Sequence, residues 1–153
     1  MASRREQITM SESEVAAYLE EQKVLNVATI GASGHPHVVA MWYGFLGGQP
    51  AFWTFGRSQK VLNLRRNPKL SALVEDGDTY SQLRGVELVG TGRIVEDRDA
   101  IIELGLSVAL RYQDTDAATA APFVEAQAAK RLGVVIDVER IVSWDHTKLG
   151  GTY

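Results

Sequence analysis

Two hydrophobic periods divide this chain. Apolar positions alternate with polar ones over short stretches rich in branched and aromatic residues, and recur every three or four positions over longer ones. The first pattern marks strands and the second amphipathic helices. Ser11 and Glu14 have the spacing of a capping box, and Val15, Tyr18 and Leu19 then share one helical face. Val24 to Ile30 alternates as a strand, Gly31-Ala32-Ser33-Gly34 is a turn signal, and Pro36 to Tyr43 reads as the second strand of a hairpin. Gly47-Gly48-Gln49-Pro50 turns the chain into a third strand, Ala51 to Phe55. Links this short require an antiparallel meander. A helix over Ser58 to Arg66 is stopped by Asn67-Pro68.

Strands follow at Lys69 to Glu75 and at Leu83 to Val95, the second holding Gly85, Gly90 and Gly92, a density that suggests bulges or tight curvature. Asp97 to Tyr112 is helical, with Ile101, Leu104 and Val108 apolar. Asp114 to Pro122 reads as a loop, although its alanines could equally extend a helix; a helix over Phe123 to Arg131 and a last strand from Gly133 to Trp144 complete the chain. The expected fold is α+β, mainly β: a small closed or split antiparallel β-barrel of about six strands with flanking helices, one domain over residues 1–153 with 1–10 as a flexible amino terminus.

Composition narrows the function. The chain has 153 residues and no cysteine, which excludes thiol chemistry and disulfides. The longest apolar run, Val38 to Leu46, is far short of a membrane span, and the basic start at Ser3-Arg4-Arg5 is not followed by the apolar core of a secretory signal. A cytoplasmic protein without a membrane partner is expected. With a net charge of −3 nucleic acid is not the expected partner either. The charge is unevenly placed, however. No Asp or Glu lies between Glu21 and Glu75, while Lys23, Arg57, Lys60, Arg65, Arg66 and Lys69 do. An acidic chain with an acid-free basic tract is arranged to hold an anion there.

The centre of that tract is a strand, turn and helix start. Ser58 is placed to cap the helix, Gln59 and Lys60 offer free backbone N–H groups, and Lys60 and Arg57 add positive charge. On physical grounds this is a phosphate site; the plainer alternative is a capped surface helix with solvated cations. No Gly-x-Gly-x-x-Gly or Gly-x-x-x-x-Gly-Lys occurs, so dinucleotide and triphosphate motifs are missing. The strands feeding the turn instead carry Met41, Trp42, Tyr43, Phe52, Trp53 and Phe55. An aromatic wall beside a phosphate anchor suits a flat ring joined to a phosphate, such as a flavin, although a small barrel also needs such residues as core. His35 and His37 lack a nearby carboxylate, so no metal site is expected, and Asp145-His146 lacks a nucleophile elbow, which argues against a hydrolase.

Trp53-Thr54, Arg57-Ser58-Gln59-Lys60 and Asn67-Pro68, with Pro36-His37, Met41-Trp42-Tyr43, Glu75 to Tyr80, Leu83 to Val86 and Ser143 to His146, resemble the pyridoxamine 5'-phosphate oxidase-like, flavin-binding split-barrel superfamily. More narrowly they resemble its actinobacterial branch that uses the deazaflavin coenzyme F420. The resemblance implies a six-stranded Greek-key split barrel and a homodimer with coenzyme at the subunit interface. It implies that Ser58, Gln59 and Lys60 hold the phosphate with Arg57 nearby, and that Val39, Met41, Trp42, Trp53 and Thr54 line the ring and its linker. Trp144 and Lys148 would reach across from the other subunit, with Tyr80 and Arg84 near the dimer cleft. The implied activity is hydride transfer between F420 and an unsaturated small organic substrate. FMN in place of F420, and coenzyme binding without turnover, are the alternatives. The arginine-and-histidine signature that B6 oxidases use to grip substrate phosphate is replaced by Trp144-Asp145-His146-Thr147-Lys148, so pyridoxamine phosphate is not the expected substrate. No catalytic residue is assigned; Tyr43, His37 and Tyr80 are open as proton donors.

Overall fold

The computed structural model describes residues 1–151. Seven strands form one sheet: β1 (Leu25–Ile30), β2 (Pro36–Met41), β3 (Gly44–Leu46), β4 (Gln49–Phe55), β5 (Lys69–Asp76), β6 (Arg84–Val95) and β7 (Arg131–Asp145). The helices are α1 (Arg4–Ile8), α2 (Glu12–Glu21), α3 (Gln59–Arg66), α4 (Arg98–Tyr112) and α5 (Ala117–Ala128). Strand order is β2-β1-β5-β6-β7-β4-β3, and every neighbouring pair is antiparallel. The run β4-β7-β6-β5, with α3 connecting β4 to β5, is a Greek key.

Chain connectivity closes this sheet. β2 and β3 occupy its two opposite edges, yet only Trp42 and Tyr43 separate them. Two linking residues span about 10 Å at most, whereas the outer strands of a flat seven-stranded sheet stand about 29 Å apart. The sheet must therefore roll until its edges meet. The strand expected over residues 36–43 ends at Met41, where it pairs with β1, and the chain past the crossing forms an unexpected short strand, β3, paired with β4, which is why seven segments replace the six expected. Curvature is aided at Gly90, where the β6–β7 register slips by one residue. A Cβ there would lie 2.1 Å from the Asp137 carbonyl oxygen.

Side chains weld the crossing in place. Tyr43 is fully buried, and its hydroxyl donates to the carbonyls of Leu19 and Gln22 at the end of α2. Arg111 of α4 donates to the Tyr43 carbonyl (3.0 Å), to Gln22 O (2.7 Å) and to Leu19 O (3.2 Å), and its guanidinium lies over the Tyr43 and Phe45 rings. Otherwise these C-terminal carbonyls of α2 would go unpaired. The barrel interior is filled by Leu25, Val27, Phe52, Val74, Val86, Leu88, Val134 and Ile136, all essentially inaccessible.

Residues 1–10 carry α1, capped reciprocally by Ser3 and Glu6; Met10 is buried and its N–H donates to Ser143 Oγ (3.0 Å). One expectation changes. The segment read as loop or helix is helical from Ala117, and α5 ends at Ala128, so Arg131 begins β7 instead of closing a helix. Asp116 caps α5 by accepting from Thr119 N (2.8 Å), which starts the helix ahead of Pro122. Arg111→Met should lower unfolding stability by roughly 2–4 kcal/mol in urea titrations, because the Tyr43 carbonyl loses its Arg111 donor and the Leu19 and Gln22 carbonyls are left to share the one Tyr43 hydroxyl proton.

Candidate functional site

β4 ends in the turn that starts α3, and three polar side chains converge there. Lys60 Nζ donates to Thr54 Oγ1 at 3.0 Å, and Thr54 Oγ1 donates to Ser58 Oγ at 3.3 Å. Thr54 is buried and Lys60 half-buried. Burial pulls the Lys60 ammonium pKa below its ordinary value, since no carboxylate offsets the lost hydration. Among the described residues the neutral Thr54 hydroxyl is the hydrogen-bond partner of this cation. Ser58 occupies the N-cap position, but its hydroxyl makes no cap hydrogen bond, contrary to expectation. The first N–H groups of α3 therefore point out of the helix beside a hydroxyl and an ammonium, a combination that attracts an anion.

Behind this cluster α3 is locked to β1. Asn63 is fully buried; its Nδ2 donates to Thr29 Oγ1 (3.0 Å), and its Oδ1 accepts from Gln59 Nε2 (2.8 Å) and from Arg66 (3.2 Å). The Gln59 side chain is thus turned away, and what Gln59 presents at the helix start is its backbone. Arg66 also donates to Ile30 O (2.7 Å), and Arg65 pairs with Glu96 (2.7 Å). Arg57 is exposed beside Phe55 and Lys130. Sequence reasoning missed Asn63; a polar residue beside Val61 and Leu64 on the apolar side of the helix was the available signal.

The barrel split runs past β2. His37, Val39 and Met41 lie on its more buried face, with His37 directly across from Thr29 and Val39 across from Val27. His37 Nδ1 is buried and has no hydrogen-bond partner among the described residues. From Met41 and Trp42 the surface continues into a cleft of about 450 Å³ bounded by Trp53, Phe123, Gln127 and Arg131. Trp42 stacks on Tyr112 with ring centroids 4.5 Å apart. A Cβ at Gly105 would lie 2.6 Å from the Trp53 ring, so the bare backbone there lets the indole lie between α4 and α5. Trp53 and Thr54 were expected to line one surface. As neighbours on a strand they point to opposite faces, Thr54 to the Lys60 cluster and Trp53 into the cleft.

The remaining candidates lie apart from this region within one chain. Arg84 pairs with Asp76 (2.8 Å) and Glu21 (3.0 Å), hydrogen bonds that push its pKa up, and sits over the Tyr18 ring. Lys148 pairs with Glu14 (2.7 Å) and donates to Thr9 O (2.9 Å). Tyr80 meets His146 edge to face at 4.3 Å. Trp144 borders a 300 Å³ hollow on the outer sheet face with Ala28, Val38 and Leu73. Tyr43 is removed from the proton donors: it is buried, its hydroxyl is bonded to carbonyls, and desolvation pushes its pKa up to about 12.

A family model described as pyridoxamine 5'-phosphate oxidase matches residues 11–145. The chain belongs to that family. Among solved structures it is similar to the conserved hypothetical protein Rv2991 from Mycobacterium tuberculosis, with 43% identity over 99% of this chain and 95% of that one and a TM-score of 0.93. It is also similar to an F420 reductase, with 26% identity over 82% of this chain and 93% of that one and a TM-score of 0.63. HutZ, the heme storage protein from Vibrio cholerae, shares the fold at 15% identity over 86% of this chain and 94% of that one, with a TM-score of 0.66. No curated protein matches the chain. Membership in this family agrees with the observed split barrel. No helix among the described residues is long and apolar enough to cross a membrane.

Replacing a desolvated cation by an apolar side chain of similar reach removes a penalty. Lys60→Met should therefore raise the urea midpoint of the unliganded protein. The lowered pKa has a matching sign: between the folded and unfolded values the unfolded chain holds more protons, so wild-type stability rises with pH in that alkaline window, and the variant should lose this rise.

Proposed function

We propose that this chain is an F420-dependent oxidoreductase that delivers a hydride to an unsaturated small organic molecule. The observation that carries the reading is the Lys60–Thr54–Ser58 cluster at the start of α3, a half-buried cation paired with a neutral hydroxyl in a tract without Asp or Glu. Such a cation gains more from an incoming phosphate than a solvated one would. The residues beside it fit a flat ring: Val39 and Met41 give an apolar wall, and His37 Nδ1 is an orphaned buried nitrogen on the same face of β2. The similarity to an F420 reductase across most of that protein's length supports the choice of deazaflavin over FMN.

When bound, the reduced deazaflavin supplies the hydride. Lys60, Ser58 and the backbone N–H groups of Gln59 and Lys60 hold its phosphate, with Arg57 adding positive potential. Val39 and Met41 shield the ring from water, and Trp42 and Trp53 wall the adjoining cleft. His37 is the residue of the barrel split able to hold or pass a proton. The protein acts as a cytoplasmic homodimer joined through the outer sheet face. Val38, 62% exposed, lies there beside Ala28, Leu73 and Trp144. Association through this face brings Trp144 and Lys148 to the subunit interface, and Tyr80 and Arg84 to its margin.

In titrations that follow coenzyme fluorescence, Lys60→Met should weaken F420 binding roughly tenfold to a hundredfold. Unchanged affinity would remove the phosphate assignment. Tighter binding of FMN than of F420 to the wild type would replace the coenzyme, and binding without oxidation of reduced F420 across enones and quinones would make the chain a carrier. Sedimentation velocity should show a dimer that Val38→Glu converts to monomer, since a buried unpaired carboxylate is strongly unfavourable.

A further inference from the structure

We propose that the cleft under α4 and α5 binds planar organic molecules that carry a carboxylate, with Arg131 as the receptor for that carboxylate. Arg131 opens β7 directly across from Phe55 of β4. Its guanidinium carbon stands 4.7 Å from the Trp53 ring centroid and 4.6 Å from that of Phe55, so aromatic rings engage its flat faces. The edges are another matter. Among the described residues Arg131 makes no ion pair, and its Nε is buried without a hydrogen-bond partner.

This sets Arg131 apart from four other arginines of the fold. Arg65, Arg84, Arg93 and Arg111 each reach a carboxylate within 3.3 Å. Burial lowers the Arg131 pKa with no opposing charge to restore it. An arginine stacked through its faces still presents its N–H groups in the plane, the geometry that accepts two carboxylate oxygens side by side. Arg131 borders the 450 Å³ cleft, whose walls include Trp42, Trp53 and Phe123 and whose polar groups include Gln113 and Gln127. That volume lies within the range of small-molecule sites, and aromatic walls with one fixed cation select a flat, apolar body bearing an anion. A single guanidinium charge balances a carboxylate, and the phosphate chemistry belongs to the Lys60 cluster.

As a statement about substrate, the inference rests on the proposed hydride transfer; as a statement about binding, it stands on the cleft alone. The test compares 2-naphthoate with its neutral analogue 2-naphthamide by quenching of tryptophan fluorescence, since Trp42 and Trp53 line the cleft. Wild-type protein should prefer the carboxylate roughly tenfold or more. Arg131→Gln should bring the two ligands to equal affinity, and Arg131→Lys, which keeps the charge without the planar fork, should retain part of the preference and serves if the glutamine variant does not fold. Equal binding in the wild type, or an undiminished preference in Arg131→Gln, would overturn the proposal. F420 and its tail-less ring fragment are titrated in parallel. Unchanged affinities for both in Arg131→Gln agree with a substrate role. A loss for F420 alone would give Arg131 to the coenzyme's own carboxylates and overturn the substrate assignment. Failure of F420 to bind the wild type would refute the coenzyme reading while leaving the naphthoate result intact.

Discussion

The two-residue crossing at Trp42-Tyr43 is the constraint on which the rest of this molecule depends. It joins the opposite edges of one sheet, so the sheet rolls, and rolling brings the buried face of β2 toward the end of β4. Tyr43 and Arg111 hold the crossing by occupying the free carbonyls at the end of α2. A structural job thereby draws α2, α4 and the barrel edge to one point. The same crossing leaves Trp42 outside, 55% exposed and stacked on Tyr112, where it forms a wall of the cleft. Core and cleft are made by adjacent residues of one short link.

The cations of the fold divide by what surrounds them. Arg84 and Lys148 are each paired with carboxylates of their own chain. Lys60 and Arg131 are the reverse. Each is partly removed from water, each has its pKa lowered by burial, and neither has a carboxylate partner among the described residues. Leaving a buried charge uncompensated works against folding. Two such groups on the two faces of β4 therefore point to ligands, an anion at the start of α3 and another in the cleft under α4 and α5.

Much of this could be read along the chain. The Ser11–Glu14 capping box, the turn glycines and the Asn67-Pro68 stop appear where boundaries were expected, most period-two stretches are strands, and the acid-free tract pointed to the start of α3. Where reading by residue type failed, a second partner was responsible. Ser58 has the identity of a capping residue, but its hydroxyl meets Thr54 instead. Gln59 has a polar side chain at a helix start, but Asn63, one turn on, engages it. Asp114 to Pro122 contains a helix breaker, but Asp116 caps the helix early enough to carry it through the proline.

Sequence by itself determined most element types, the mainly antiparallel architecture and the location of an anion-attracting helix start, because hydrophobic period, capping spacing and charge distribution are local properties. Only the tertiary structure decided that Trp53 and Thr54 serve opposite faces, that Asn63 anchors α3 to β1, and that Arg131 stands over two aromatic rings without a counter-ion among the described residues. Those facts depend on which residues from distant segments meet when the sheet rolls, and on whether a charge finds a carboxylate there. Neither is encoded in the neighbours of a residue along the chain.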